Sequence, residues 1–123
     1  MNVFLSGPMS GVEGHNRPAF DAAEVALRAH GHEVWNPCRL IPFSDEVRAG
    51  GLTRRECLAT DLSAMLDGWD NVEGSGEVIF ADAVVVLPGW RDSRGSMVEV
   101  TMAHEVGIPV MTVGEALGAG GEG

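Results

Sequence analysis

The stretch that decides the fold is residues 83–99, with the sequence AVVVLPGWRDSRGSMVE. It opens with a continuous apolar run at 83–87, which is typical of a central parallel strand buried on both faces. Pro88 and Gly89 end that strand. A helix is predicted from Arg94 to Val106, because Gly107 is a natural stop. Together these signals predict a strand, a loop and a helix in succession.

The same alternation continues on both sides of this unit. Residues 37–52 carry no regular pattern, and residues 68–78 are predicted to form a polar, glycine-rich loop. Residues 118–123 are predicted to be a flexible Gly-rich tail after a domain that spans residues 1–117. Further strands are predicted at 3–6, 33–36 and 108–113, and helices at 19–29, at 53–67 behind a capping box and, for one turn, at 115–117.

This order of elements predicts an α/β fold with one Rossmann-like domain. Alternating strands and helices favour a parallel sheet of roughly four or five strands, with helices on both faces. In such sheets a ligand binds beyond the carboxyl ends of the strands, where the strand order reverses. The loops at 7–17 and 88–95 are therefore expected to form the site.

Composition narrows the function classes. With 123 residues and 45% apolar composition, the chain suits one folded domain. Its net charge of −10 argues against binding to a nucleic-acid polymer, which favours a basic face. No apolar run approaches the roughly 20 residues of a membrane span, and no signal-peptide pattern is present, so we expect a cytoplasmic protein without membrane contact. The cysteine and histidine spacings suggest no metal site, and no cofactor is predicted.

Two carboxylates stand out against the apolar stripes of their helices. Glu99 is expected at the margin of a stripe made by Val98, Met102, Ala103 and Val106, near a helix N-terminus that favours its ionised form. An ionised carboxylate beside an apolar wall can attack an anomeric carbon.

Asp61 lies on the stripe of the preceding helix. A buried aspartate needs a partner or a function, so it is either an acid or base of the site or a core aspartate that bonds to loop backbone. Both interpretations stay open at this point. The stripe around it consists of Cys57, Leu58, Leu62, Met65 and Leu66.

The helix that carries Glu99 begins with a sequence suited to an anion. Free N–H groups at a helix start, with serine hydroxyls and an arginine, can hold a phosphate, although Ser93 can equally serve only as a cap. A nucleoside or nucleotide is the predicted small-molecule ligand. The candidate binding residues are Ser6, Gly7, Pro8, Met9, Ser10, Gly11, Asn16, Arg17, Gly89, Trp90, Ser93, Arg94, Gly95 and Ser96.

Several short motifs, taken together, resemble the nucleoside 2-deoxyribosyltransferase-like family. They are similar to a small phage- and bacteria-associated branch, near the deoxynucleoside 5′-monophosphate N-glycosidases. The resemblance implies a flavodoxin-like sheet, Glu99 as nucleophile and Asp61 as the residue that contacts the base and assists proton transfer. The motifs are FLSGPMSG at 4–11, NRPAF at 16–20, NP at 36–37, DL at 61–62, LPGW at 87–90 and SRGSMVE at 93–99.

The resemblance also separates activities within the family. The transferases tend to carry aspartate six positions before the glutamate, whereas the monophosphate N-glycosidases carry a serine that holds the 5′-phosphate. Ser93 occupies that position, which implies hydrolysis of a nucleotide to free base and sugar phosphate. The alternatives are a deoxyribosyltransferase, a ribonucleotide hydrolase like the cytokinin-activating phosphoribohydrolases, and a non-catalytic nucleotide sensor. A homodimer is expected from the resemblance and the apolar content.

Overall fold

The computed structural model describes residues 1–8, 16–40, 54–70 and 76–121. None of the helices in these ranges is long and apolar enough to cross a membrane. The strands are β1 (Asn2–Ser6), β2 (Glu33–Trp35), β3 (Trp69–Asp70), β4 (Val78–Ile79), β5 (Ala83–Val86) and β6 (Val110–Thr112). The helices are α1 (Arg17–Ala29), α2 (Pro37–Leu40), α3 (Arg54–Asp67), α4 (Arg94–Val106) and α5 (Val113–Gly121).

The main sheet has the strand order β2-β1-β5-β6, and all its pairings are parallel. β1 lies between β2 and β5, with Phe4 opposite Trp35 and Ser6 opposite Val86. The chain moves outward from β1 to β2 and then returns to the other side of β1, so the strand order reverses between β1 and β5. The predicted α/β class and parallel sheet are confirmed. In sheets of this kind, ligands are bound at the carboxyl ends of the two strands where the order reverses, here β1 and β5.

The period of two along β1 divides the core into two layers. Val3 and Leu5 pack with Phe20 and Leu27 of α1 and with Ala116 of α5 on one face. On the opposite face Phe4 packs in a second cluster, which includes residues of α3 and α4. Helices therefore cover both faces, as predicted. Ser6 lies two residues after Phe4 and points to the α4 side.

The structure differs from the predicted secondary structure at α2 and at the start of α5. In both places a capping signal in the sequence was missed. Residues 37–40, expected to be irregular, form α2, because the Asn36 side chain accepts a hydrogen bond from Cys38 N at 3.0 Å and Pro37 suits a first turn. Thr112 and Glu115 exchange side-chain to backbone hydrogen bonds of 3.0 and 3.1 Å, a capping box that ends β6 and starts α5.

Two further differences concern glycine-rich segments. The loop predicted at 68–78 contains an antiparallel pair, in which Trp69 lies opposite Ile79 and Trp69 is buried in the second cluster. α5 continues to Gly121, so residues 118–121 are helical where a flexible tail was predicted. Packing of Ala116 against α1 and the sheet favours the helix over the low propensity of its glycines. Thr53 of the predicted capping box lies outside the described residues.

Candidate active site

The loops after β1 and β5 meet at the carboxyl edge of the sheet. A Cβ atom at Gly7 would lie 2.8 Å from Cβ of Leu87, so only glycine allows this approach. Gly89 has a left-handed φ of 84° and faces the ring of Pro8. Both loops were predicted from the sequence to lie at one site, and in the structure they are in contact. Met9, Ser10 and Gly11 lie outside the described residues.

Glu99 occupies the centre of the buried face of α4. That face consists of Ser96, Glu99, Val100 and Ala103, which have the helical spacing of one side. Of the predicted stripe, Ala103 is buried and Met102 packs against the second cluster, but Val98 and Val106 are 38% and 50% exposed, so their predicted orientation was wrong. Glu99 is only 6% exposed and points toward β1 rather than lying at a margin.

Ser6 joins β1 to this carboxyl group. Its hydroxyl donates to Oε1 of Glu99 at 2.5 Å, and its Oγ lies 3.0 Å from Oγ of Ser96. Ser6 and Ser96 are each 1% exposed. Both hydroxyls therefore belong to a buried chain that ends on Glu99, whereas they had been expected on the ligand. The immediate consequence is a fixed orientation for Glu99.

Asp61 lies on the buried side of α3, on the same helix face as Ala64 and Met65. Its burial was predicted and is confirmed, since 8% of the residue is exposed. Oδ1 has no hydrogen-bond partner among the described residues. Among the residues that the structure describes, no loop N–H donates to that oxygen, and the functional interpretation of Asp61 is a proposal.

The two carboxyl groups share one buried environment and titrate as a pair. Burial raises the pKa of Asp61 to about 6, although hydrogen bonding with Glu99 opposes that rise. Burial, and then the negative charge of Asp61, raise the pKa of Glu99 well above its ordinary range, against the effect of Ser6. Burial and the charge of Asp61 therefore oppose the helix N-terminus, which was expected to favour the ionised form of Glu99.

This arrangement favours one proton shared between two carboxyl groups. Burial raises the pKa of both groups, and the hydrogen bond between them favours a state in which one is protonated and the other is ionised. Two carboxyl groups with separated pKa values can divide the roles of nucleophile and acid. Among the described residues no group of three or more His, Cys, Asp or Glu side chains is suited to a metal ion.

The N-terminus of α4 has the features of an anion site and of a capped helix at once. Ser93 is the N-cap, and its hydroxyl accepts a hydrogen bond from Ser96 N at 3.3 Å. The N–H groups of Arg94 and Gly95 belong to the first turn, where the helix itself offers no acceptor. The side chain of Arg94 is exposed.

The other candidate binding residues lie around the same edge. Asn16 precedes α1 with a left-handed φ of 61°, which is unusual outside glycine. Arg17 is exposed and lies 3.6 Å from Asp21 in an ion pair. Trp90 is half-buried against the second cluster, and the Arg91 guanidinium lies 5.2 Å from its ring centroid. Arg17 is thus engaged on α1 rather than with the carboxyl pair.

Sequence reasoning missed Trp35, whose indole Nε1 is buried without a hydrogen-bond partner among the described residues. Trp35 helps to lower the pKa of Asp61 against the effect of burial, so it faces that carboxyl. No local sequence pattern identifies Trp35, because its contact with Asp61 depends on the packing of β2 against α3. Only its place at a strand end, before the Asn36-Pro37 motif, was available as a signal.

Sequence reasoning also missed a cavity of about 1050 Å³ beyond the free edge of β2. Residues of α1, β2, α3 and the β3–β4 pair line it, including Glu24, Arg28 and Asn36. Neither Glu99 nor Asp61 is among its described lining residues. We place the chemistry at the carboxyl pair, since size alone does not make this groove reactive.

The chain matches the family described as "Domain of unknown function (DUF4406)" over residues 1–79 and 75–112, and it therefore belongs to that family. The match includes β1, α3 and α4, the elements that carry Ser6, Asp61 and Glu99. No curated protein matches the chain. The family description assigns no activity, so the function must be inferred from the site.

Proposed function

We propose that the protein hydrolyses the N-glycosidic bond of a 2′-deoxynucleoside 5′-monophosphate, or of the corresponding ribonucleotide, to free base and sugar 5-phosphate. The observation that carries this proposal is the buried carboxyl pair of Asp61 and Glu99 at the crevice between β1 and β5. The motif resemblance to nucleoside 2-deoxyribosyltransferase-like enzymes supports the same chemistry. A pair of carboxyl groups is the usual equipment for cleaving a glycosidic bond.

The reaction proceeds in two displacements. In the first, Glu99 attacks the anomeric carbon, the bond from that carbon to the base nitrogen breaks, and Asp61 gives its proton to the departing base. In the second, a water oxygen attacks the anomeric carbon, the glycosyl ester breaks, and Asp61 accepts the proton of the water. The sum is nucleotide plus water to base plus sugar phosphate, with both carboxyl groups restored.

A proton shared by the two carboxyl groups supplies what the first displacement needs. With that proton on Asp61, Glu99 is ionised as the nucleophile and Asp61 is protonated as the acid. The Ser6 hydroxyl stabilises the resulting Glu99 carboxylate through its 2.5 Å hydrogen bond. Binding of a substrate that favours the charged form of Glu99 stabilises this arrangement.

The N-terminus of α4 is the proposed phosphate site. Gly95 and Ser93 precede Glu99 by about one to two helical turns, which corresponds to roughly 6–9 Å along the axis. That span is of the order of the distance from a 5′-phosphate to an anomeric carbon. First-turn N–H groups and the positive end of the helix dipole favour a dianionic group, and Arg94 lies alongside in an otherwise acidic protein.

The test is a panel of nucleoside 5′-monophosphates, including modified pyrimidines, with chromatography for released base. We expect release from at least one nucleotide and much less from the matching nucleoside, because the nucleoside lacks the phosphate. Activity that requires an added acceptor base would identify a transferase instead. Tight nucleotide binding without release from any substrate would contradict the hydrolase and favour a sensor.

A 2-fluoro sugar substrate tests the nucleophile directly. The fluorine slows both displacements and allows the glycosyl ester to accumulate. Mass spectrometry of peptides should then find the added sugar phosphate on Glu99, while Glu105, exposed on the same helix, stays unlabelled. A trapped adduct on any other residue would contradict the assignment of Glu99.

The proposed oligomer is a homodimer formed through the helices beside the site. Leu66 of α3 and Met97, Val98 and Val106 of α4 are exposed apolar side chains that a second copy would cover. Light scattering at micromolar concentration should give twice the mass of the 13.0 kDa chain. A monomer mass under those conditions would contradict this proposal.

A further inference from the structure

Trp35 is held rigidly between two other rings. It is stacked on Phe4 with centroids 6.5 Å apart and planes 8° apart, and it meets Trp69 at 5.9 Å with a tilt of 52°. All three rings belong to the second cluster, together with Ala64 and Met65 of α3. Since Asp61 lies one turn before Ala64 and Met65 on the same helix face, the indole packs against the helix surface that carries Asp61.

Two buried polar atoms in this region lack partners. Nε1 of Trp35 and Oδ1 of Asp61 are both inaccessible to solvent, and neither makes a hydrogen bond among the described residues. An unpaired buried donor and an unpaired buried acceptor are each unfavourable, and most native structures avoid them. An unpaired donor and an unpaired acceptor in one packed layer are suited to each other, and Trp35 is among the groups that lower the pKa of Asp61.

The surroundings of Asp61 leave Trp35 as its neutral donor. The titratable groups that face Asp61 from other described elements are Glu99 on α4 and the Cys38 thiol on α2. Glu99 is itself a carboxyl group, and burial raises the pKa of Cys38 to about 12, which keeps the thiol neutral at ordinary pH. Trp35 lowers the pKa of Asp61, which is the effect expected of a hydrogen-bond donor to the carboxylate. Burial raises the same pKa more strongly.

We propose that Trp35 is a positioning residue for Asp61, with an indole N–H that donates to the carboxylate whenever Asp61 is ionised, including after Asp61 has given its proton to the departing base. This inference rests on the proposed function for its place in the reaction. The geometry that it requires, an indole N–H that closes on a charged Asp61, is independent of any substrate.

The contact matters because the first displacement leaves a buried negative charge on Asp61. Glu99 is esterified at that stage, so it no longer shares a proton with Asp61. The fixed indole supplies a hydrogen bond without reorganisation, because its ring is already clamped by Phe4 and Trp69. It also aims the carboxylate that then accepts the proton of the attacking water.

The first test needs no activity. Each of the three tryptophans of the chain gives one indole N–H signal in a ¹H–¹⁵N NMR spectrum, and Trp35→Phe assigns the signal of Trp35. We expect that signal to move with pH with the midpoint of Asp61, and to stop moving in Asp61→Asn. A Trp35 signal that does not follow Asp61 would overturn the proposal.

The second test measures Asp61 itself by carboxyl ¹³C NMR. Trp35→Phe keeps an aromatic ring beside Phe4 and removes the N–H, so the midpoint of Asp61 should rise by about one pH unit, the order of one charge-assisted hydrogen bond. Trp69→Phe removes an indole N–H from the same cluster and should leave the midpoint unchanged. Equal midpoints in Trp35→Phe and the unmutated protein would overturn the proposal. Should Trp35→Phe not fold, Trp69→Phe and Trp90→Phe assign the other two indole signals, and the remaining signal then serves for the Asp61→Asn comparison.

The third test separates the inference from the proposed function. If the protein releases base, Trp35→Phe should shift the pH profile of kcat in the direction of the Asp61 midpoint, and Trp69→Phe should not. A shifted midpoint in a protein that releases no base would uphold the contact and contradict the hydrolase. An unshifted midpoint in an active enzyme would overturn the role of Trp35 and leave the hydrolase intact.

Discussion

Two buried glutamates on opposite sides of the sheet have opposite surroundings. Glu24 of α1 is 4% exposed and Glu99 of α4 is 6% exposed. Glu24 accepts from Arg28 Nε at 2.7 Å and from Asn36 Nδ2 at 3.1 Å. Glu99 has the Ser6 hydroxyl at 2.5 Å and a second carboxyl group as its neighbour.

The difference teaches that burial alone does not identify a reactive carboxyl group. Arg28 and Asn36 satisfy Glu24 as a charged group, and the same guanidinium also reaches Glu33 and the carbonyl of Val34, at 3.1 and 3.2 Å. That network ties α1 to β2 and is structural. Glu99 is buried beside a like charge, an arrangement that is unfavourable for folding and therefore suggests a function.

The largest expected effect comes from exchanging each glutamate for glutamine. Glu99→Gln should lower base release by more than about 1000-fold, since the amide keeps the shape and loses the nucleophile. Glu24→Gln should lower the free energy of unfolding by about 1–2 kcal/mol, a value reduced by the partial exposure of Arg28. Rates per folded molecule and urea denaturation measure both effects. Equal losses of activity in the two variants would contradict the assignment of Glu99 as reactive and Glu24 as structural.

Stability should depend on pH through the unpaired carboxyl groups. The pKa of Asp61 is raised to about 6 by burial, so its protonated form stabilises the fold at low pH and this stability is lost as the pH rises through 6. Because the ordinary pKa of this carboxyl is 3.8, the free energy of unfolding should fall by on the order of 2 kcal/mol between pH 4 and 7. Asp61→Asn should flatten that fall, whereas Asp67→Asn, exposed on the same helix, should not. Parallel slopes in all three proteins would contradict this account.

Ser6→Ala tests the one donor that favours the charged form of Glu99. Burial and the charge of Asp61 already raise the pKa of Glu99, and loss of the hydroxyl should raise it further. The acid limb of the rate–pH profile should move up by about one unit, which lowers base release on that limb about tenfold. Thr101→Val removes an exposed hydroxyl from α4 and serves as the control. An unmoved acid limb would mean that Ser6 only fills space.

The smallest effect is expected at Ser93. Ser93→Ala removes the N-cap and should lower the free energy of unfolding by about 1 kcal/mol. If the hydroxyl or the cap also orders the phosphate site, KM should rise several-fold for a nucleotide and stay constant for the matching nucleoside. A loss of stability with no change in either KM would assign Ser93 to capping alone.

Local signals account for what the sequence predicted well. The bounds of α4 were predicted to the residue, because Ser93 is a cap and Gly107 takes a left-handed φ of 81° just after the last turn. The run at 83–87 contains all of β5, which lies inside the sheet between β1 and β6. Such signals depend only on near neighbours in the chain.

Tertiary packing decided what the sequence did not show. Hydropathy favoured Val98 and Val106 as core residues of α4, but the sheet covers the side that carries Ser96 and Glu99. The orientation of that helix is set by contacts with β1 and β5 that no local pattern encodes. The role of Trp35 depends on a helix that follows it by many residues, so it too required the fold.

The close approach of Gly7 to Leu87 has a consequence for distant relatives of this chain. Glycine is required there by the distance between two adjoining loops, whatever those loops bind. We expect a descendant that had lost all chemistry to keep glycine at position 7 for as long as it kept the sheet. Glycine at position 7 would therefore indicate the same packing of the two loops, whereas Ser6, Asp61 and Glu99 together would indicate the proposed reaction.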